Sequence, residues 1–161
     1  MNSMNKDHSS KIQCYKKAQA GEWATFSCGI ASLKSLLSFW GIETPDLDKW
    51  MDEAVTQGVV KSTTGFQWKK AQKWGERMGI QMEYFHEMNR NKLIPFLLEQ
   101  PLLISIQIEN LGGHVVVLVG LNDETESRTW TYYDPETGGF EKISDSIFTK
   151  IFRGHVMRVL K

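Results

Sequence analysis

The amino-acid sequence predicts an α+β domain, and three observations carry that prediction. After a polar arm, apolar residues recur at helical spacing in several separate stretches before Pro101. From Leu102 onward the texture changes to short runs of Val, Ile and Leu divided by turn residues. No repeat or low-complexity tract interrupts the 161 residues, so helices and strands belong to one unit spanning 1–161, with 1–20 as a polar N-terminal arm. The expected arrangement is a set of N-terminal helices packed on a C-terminal antiparallel sheet.

Each element has its own warrant. After the polar arm, Ile30, Leu33, Leu37 and Trp40 define one helical face, Leu36 widens it, and Gly41 ends the helix. A second helix starts after Asp46, which follows Pro45 and suits an N-cap. Thr63-Thr64-Gly65 precedes a third, patterned on Trp68, Ala71, Gln72 and Gly75 and ending near Gly79. Residues 80–86 alternate as a strand does. Residues 89–99 read as a short helix closed by Pro101, with Pro95 a breaker inside it. Strands follow at 102–108, 114–119, 129–133 and 155–160, with a turn at Gly138-Gly139. Ser144 suits the cap of a last helix over Ile147, Phe148 and Ile151.

Composition excludes several functions. Nineteen acidic residues balance nineteen basic ones, so no overall field argues for nucleic acid or an anionic membrane. No stretch approaches the roughly 18 apolar residues of a membrane span, and the polar start lacks the apolar core of a signal peptide. Two cysteines are too few for a disulfide scaffold, and Cys14 and Cys28 have no zinc-like spacing. The expectation is a reduced, cytoplasmic protein with no metal and no organic cofactor, secretion as an effector being left open.

Three residues carry chemistry. Cys28 lies in Ser27-Cys28-Gly29-Ile30-Ala31-Ser32-Leu33, at the mouth of the first helix. Unpaired N–H groups and the positive dipole end there favour a thiolate. The Cys28 N–H can serve a developing oxyanion, and Gly29 is expected to let a substrate backbone approach. His114 opens His114-Val115-Val116-Val117-Leu118-Val119-Gly120, and Asp134 ends Trp130-Thr131-Tyr132-Tyr133-Asp134-Pro135. The polar break Asn122-Asp123-Glu124-Thr125-Glu126 separates the two strands; a loop centred on Glu124 puts His114 opposite Asp134 or nearly so. A one-residue bulge would turn the two side chains to different faces. Thiol, imidazole and carboxylate together are the nucleophile, base and orienting group of covalent acyl transfer.

Other polar residues weigh less. His155 shares the Gly-His-Val context of His114 but has no acidic residue placed to orient it. Cys14 is incidental to the arm, and His8 and His86 belong to no constellation. The tryptophans fall mainly on helix stripes and read as core, with Trp23 and Trp130 as exceptions near the site. Asp123, Glu124 and Glu126 read as a solvated hairpin tip, not a metal cluster.

At these residues the chain resembles the bacteriocin-leader-processing (double-glycine leader) cysteine peptidases of the papain-like clan, fused to peptide exporters or encoded as stand-alone domains. The resemblance runs from Glu22 to Leu160. It covers Ser27-Cys28-Gly29-Ile30-Ala31-Ser32-Leu33, Trp40-Gly41, the helix between Gly65 and Gly79, and Pro101-Leu102-Leu103-Ile104. Gly113-His114-Val115-Val116-Val117-Leu118, Asp134-Pro135, and Phe148 with Gly154 complete it. It implies a papain-like fold, with Cys28 as nucleophile, His114 as base and Asp134 as orienting group. The family carries a glutamine six residues before the nucleophile, whose amide donates to the oxyanion; here that position is Glu22, whose carboxylate would repel it.

Three functions compete on this reading. The first is a stand-alone peptidase acting on a peptide or protein substrate through a thioester, with an exporter or host protein as an unidentified further partner. The second is a deamidase or transamidase acting on protein glutamine. The third is a silent peptide-binding domain, which Glu22 favours and an intact triad disfavours.

Overall fold

A computed structural model describes residues 5–19, 21, 23–108, 112–123 and 127–160. In chain order the strands and helices are β1 (Asn5–Asp7), α1 (Cys28–Phe39), α2 (Leu47–Thr56), the small hairpin β2 (Val60–Lys61) and β3 (Gly65–Phe66), and α3 (Trp68–Arg77). There follow β4 (Gln81–Phe85), α4 (Arg90–Glu99), β5 (Leu102–Ile108), β6 (Gly112–Asn122), β7 (Thr129–Asp134), β8 (Gly139–Ser144), α5 (Asp145–Ile151) and β9 (Phe152–Leu160). The sheet order is β4-β9-β5-β6-β7-β8, with β1 added beside β6, and every pairing is antiparallel.

Helices cover both faces of this sheet. Ile30, Leu33 and Leu37 of α1, Trp50 of α2 and Trp74 of α3 pack with Leu103, Val115, Val117, Tyr133 and Met157. Leu93 and Leu97 of α4 and Phe148 of α5 pack with Leu102, Ile104, Val116, Leu118 and Trp130. Burial on both sides is why β5 and β6 read as unbroken apolar runs, not as the alternation usual in antiparallel sheets. Each fully buried Leu or Ile contributes on the order of 2 kcal/mol, so these two layers supply most of the driving force.

Polar contacts then fix the layers in place. Arg90 grips Asp145 with Nε and a terminal nitrogen, both at 3.0 Å, and Trp130 Nε1 donates to the same carboxylate at 2.8 Å, locking α4, α5 and β7 together. The polar N-terminal segment is tied down as well. His8 is buried and donates to the Leu97 carbonyl, while its own N–H bonds Val119 O at 2.8 Å. The backbone N–H groups of Gln13, Tyr15 and Ala18 donate to the hydroxyls of Ser38, Ser35 and Ser27, so this segment straps α1 from its end back to its start.

Several elements differ from the sequence reading. β1, the β2–β3 hairpin and β8 were not expected: β1 and β2–β3 are two or three residues long, and β8 is a largely exposed edge strand with no apolar run. Asp46 precedes α2 but its side chain caps nothing. Ser144 and Asn89 do cap, accepting from Ile147 N and Asn91 N. Pro95 is held inside α4. No described helix is long and apolar enough to cross a membrane.

Candidate active site

Cys28 is the first residue of α1 and is half-buried. Ser27 precedes it without capping the helix by its side chain; its hydroxyl instead donates to Ala24 O at 2.8 Å and accepts from Ala18 N at 2.9 Å. The first N–H groups of α1 are therefore not claimed by an N-cap side chain. One turn on, the Ser32 hydroxyl donates to Val115 O at 2.8 Å. Ser32 is four residues from Cys28 and so on the same helical face, and Val115 adjoins His114. This bond is the link between the first helix and the hairpin that local sequence patterns did not reveal.

His114 and Asp134 meet, though not by the simplest register. At its outer end the β6–β7 ladder pairs Asn122 with Thr129 and Leu121 with Trp130. Continued unchanged, that register would set Asp134 opposite Val117, an odd number of positions from His114 and on the wrong face. The register shifts between Leu118 and Gly120, after which Val117 pairs with Tyr133. Asp134 now falls beside Val116, two positions from His114, and both side chains share a face. The expected pairing, opposite or nearly so, takes the form of a diagonal pair, and the bulge expected to part the two side chains instead brings them together. The described part of the loop is Asn122 and Asp123, the latter held by Arg128 at 3.3 Å; Glu124, Thr125 and Glu126 lie outside the described residues.

The geometry of the group is specific. His114 Nε2 bonds Asp134 Oδ1 at 2.6 Å, with both side chains buried. The same carboxylate oxygen accepts from Glu136 N at 2.9 Å, which holds it in orientation. Cys28 lies close enough to His114 to favour its charged ring. With Nε2 committed to Asp134, Nδ1 is the ring nitrogen that remains for the sulfur. Burial works against a charged ring, but the hydrogen bond to Asp134 and the negative charges of Asp134 and Cys28 outweigh it, and the His114 pKa is pushed up to about 10.

A cleft of about 1000 Å³ opens beside His114, between Thr25 and Phe26, the segment from Thr63 to Lys70, and the strand residues Tyr84, Ser105, Ile106, Arg153 and His155. A Cβ at Gly29 would lie 2.5 Å from the Phe66 ring, so the space expected for a substrate backbone is filled by Phe66. Trp68, Tyr84 and His155 form a wall of near-parallel rings, with Trp68 5.6 Å from each partner and the Tyr84 hydroxyl 2.7 Å from His155 Nδ1. Sequence reasoning missed Trp68, because its place on a helix stripe looked like core. Trp130 goes the other way: it is fully buried under α5, away from the cleft. Trp23 packs edge-on against Phe26, one of the cleft residues.

The remaining candidates are accounted for briefly. Glu22 lies outside the described residues. Cys14 is exposed and unbonded to Cys28. His86 touches the Tyr84 ring at 6.2 Å. No group of three or more His, Cys, Asp or Glu side chains converges as a metal site among the described residues.

Comparison with solved structures places this arrangement. The chain is similar, with a TM-score of 0.65 and 21% identity over 92% of this chain and 91% of the other, to a double glycine motif protease from an AMS/PCAT transporter, solved in complex with the leader peptide. It is also similar to the peptidase domain of Streptococcus mutans ComA, with TM-scores of 0.60 and 0.61 and identities of 13% and 11% over at least 92% of this chain and 99% of that domain. At these identities the likeness establishes the papain-like α+β fold. No curated protein matches the sequence. A family model matches residues 9–154, nearly the whole chain, and on that match the protein belongs to the Peptidase_C39-like family.

Proposed function

We propose that this protein is a cysteine peptidase that cleaves a peptide or protein through a thioester acyl-enzyme. The observation that carries the reading is the position of His114, hydrogen-bonded to Asp134 and beside Cys28, whose sulfur favours the charged ring. In the proposed cycle the imidazole holds the thiol proton, leaving a thiolate to attack the scissile carbonyl. The oxyanion forms against the Cys28 N–H at the start of α1. The imidazolium then protonates the leaving amine, and the ring next deprotonates the water that releases the acid product and restores the thiol. Asp134 fixes the ring and compensates its charge throughout. A leader peptide is bound by one structural neighbour, and a peptide of that kind is the substrate class proposed for this chain.

Glu22 stands where an oxyanion donor is expected, and the reading makes a specific demand on it. Glu22→Gln should raise kcat/KM by up to about a hundredfold, the reverse of the usual loss of such a donor. The decisive experiment follows alkylation of Cys28 by iodoacetamide against pH, with intact mass as the readout, in a Cys14→Ser background. Labelling that stays fast below about pH 7 and collapses in His114→Ala supports the ion pair. Ordinary thiol behaviour in both proteins sinks it. Incubation with double-glycine peptides then separates the products: a cut chain for a peptidase, or a gain of about one mass unit without a cut for a deamidase.

A further inference from the structure

We propose that the cleft beside His114 takes a substrate side chain that ends in a carboxylate, within about three residues of the bond to be cut. This rests on the hydrolase reading above and names the chemistry of its substrate. Lys69 and Lys70, from the first turn of α3, and Arg153, from β9, line the cleft, and no Asp or Glu lines it among the described residues. The chain as a whole is neutral, so this excess of positive charge is local. All three cations are exposed at the rim, and Arg153 uses only Nε, on Gln107 Oε1 at 3.4 Å, leaving its terminal N–H groups without a partner among the described residues.

Two further features shape the site. Ser105 lies in the cleft, more than nine-tenths buried, and its hydroxyl has no hydrogen-bond partner among the described residues. The hydroxyl is sealed from solvent, so Ser105 makes part of the cleft floor and not a contact to the bound side chain. Trp68, stacked with Tyr84 and His155, supplies a flat apolar wall for the methylene stem of a glutamate.

The span follows from the sheet. Ile106 of β5 pairs with His114 on one side and Phe152 on the other, which sets Arg153 two strands from His114. Two inter-strand spacings are about 10 Å, which an extended peptide covers in about three residues.

The test uses the full chain carrying Cys28→Ala, so that binding is read without turnover. Fluorescein-labelled peptides built around Gly-Gly carry one Glu, or its isostere Gln, at each of three positions on either side, and anisotropy reports Kd. The expected result is that Glu binds about tenfold tighter than Gln at one of these positions, the scale of a charge-assisted hydrogen bond. That gap should shrink several-fold between 50 and 500 mM NaCl. The double variant Lys69→Glu/Arg153→Glu should erase it and favour a Lys peptide, and the milder Arg153→Gln should reduce it. Peptides that do not bind, or bind without regard to charge, overturn the proposal. The two readings fail separately. A glutamate preference in a protein that cuts nothing leaves the subsite standing and removes the peptidase; cleavage without that preference does the opposite.

Discussion

His114 and His155 sit in the same local sequence, Gly-His-Val, each on a central strand and each beside the same cleft, yet their chemistry points in opposite directions. His114 faces a carboxylate and a thiol, and its pKa is pushed up to about 10. His155 faces the Tyr84 hydroxyl and the Trp68 ring, and burial, with His86 nearby, holds its pKa below the ordinary histidine value. One is built to keep a proton in a buried site and the other to stay neutral. The three-residue context is silent on which is which; the neighbours, brought from 20 and 71 residues away, decide it.

The largest expected effect separates the two rings directly. His114→Ala should lower kcat by about 10⁴- to 10⁶-fold, the scale on which losing the base of such a group is felt. His155→Phe keeps a stacked ring and should change kcat by less than about tenfold, with its effect in KM. Equal losses in both variants would end the distinction. Steady-state kinetics on one cleavable peptide decides it.

Next in size is the orienting carboxylate. Asp134→Asn leaves an oxygen for Glu136 N–H but removes the charge that holds His114, and kcat should fall by about 10²- to 10⁴-fold while circular dichroism is unchanged. An unaltered rate would remove Asp134 from the site.

A gain of function sharpens the comparison further. Tyr84→Glu places a carboxylate beside His155 Nδ1 and should raise that ring's pKa by about one unit or more, read from the imidazole proton shift in an NMR titration. No movement would mean that burial alone governs His155.

The smallest effect concerns stability against pH. Because the folded pKa of His114 is raised, its contribution is fully present below about pH 6.5 and is lost as pH rises through about 10. The folded pKa of His155 is lowered, so its contribution is present above about pH 6.5 and fades as pH falls below that value. His8, buried against Leu97 O with its pKa also lowered, acts in the same sense. Thermal scans should therefore show Tm dropping below about pH 6, less steeply in His155→Phe.

Much of this was legible in the chain. Strong periodicity marks α1, α3, β5 and β6 within a few residues, and the order of the motifs singles out Cys28, His114 and Asp134. What escaped was set by contacts rather than by pattern. The shift between Leu118 and Gly120 is invisible to loop arithmetic; Gly120 marks it, since a Cβ there would sit 2.9 Å from the Lys6 carbonyl of β1. Trp68 and Trp130 exchanged roles because helix or strand membership does not say which side of a helix meets a cleft. Phe66 entered the space beside Gly29 from a hairpin too short to announce itself.

The position of β9 governs when the cleft can form. It lies between β4 and β5, although it follows every other strand in the chain. Arg158 bonds Glu83 across 75 residues, and β4 joins the sheet through β9 alone. A nascent chain released from the ribosome up to α5 carries Cys28, His114 and Asp134 but holds β4 unpaired and the far wall of the cleft unbuilt. Such non-local pairing closes late and slowly. Until β9 is in place, β4 has no sheet to join and the far wall of the cleft is incomplete.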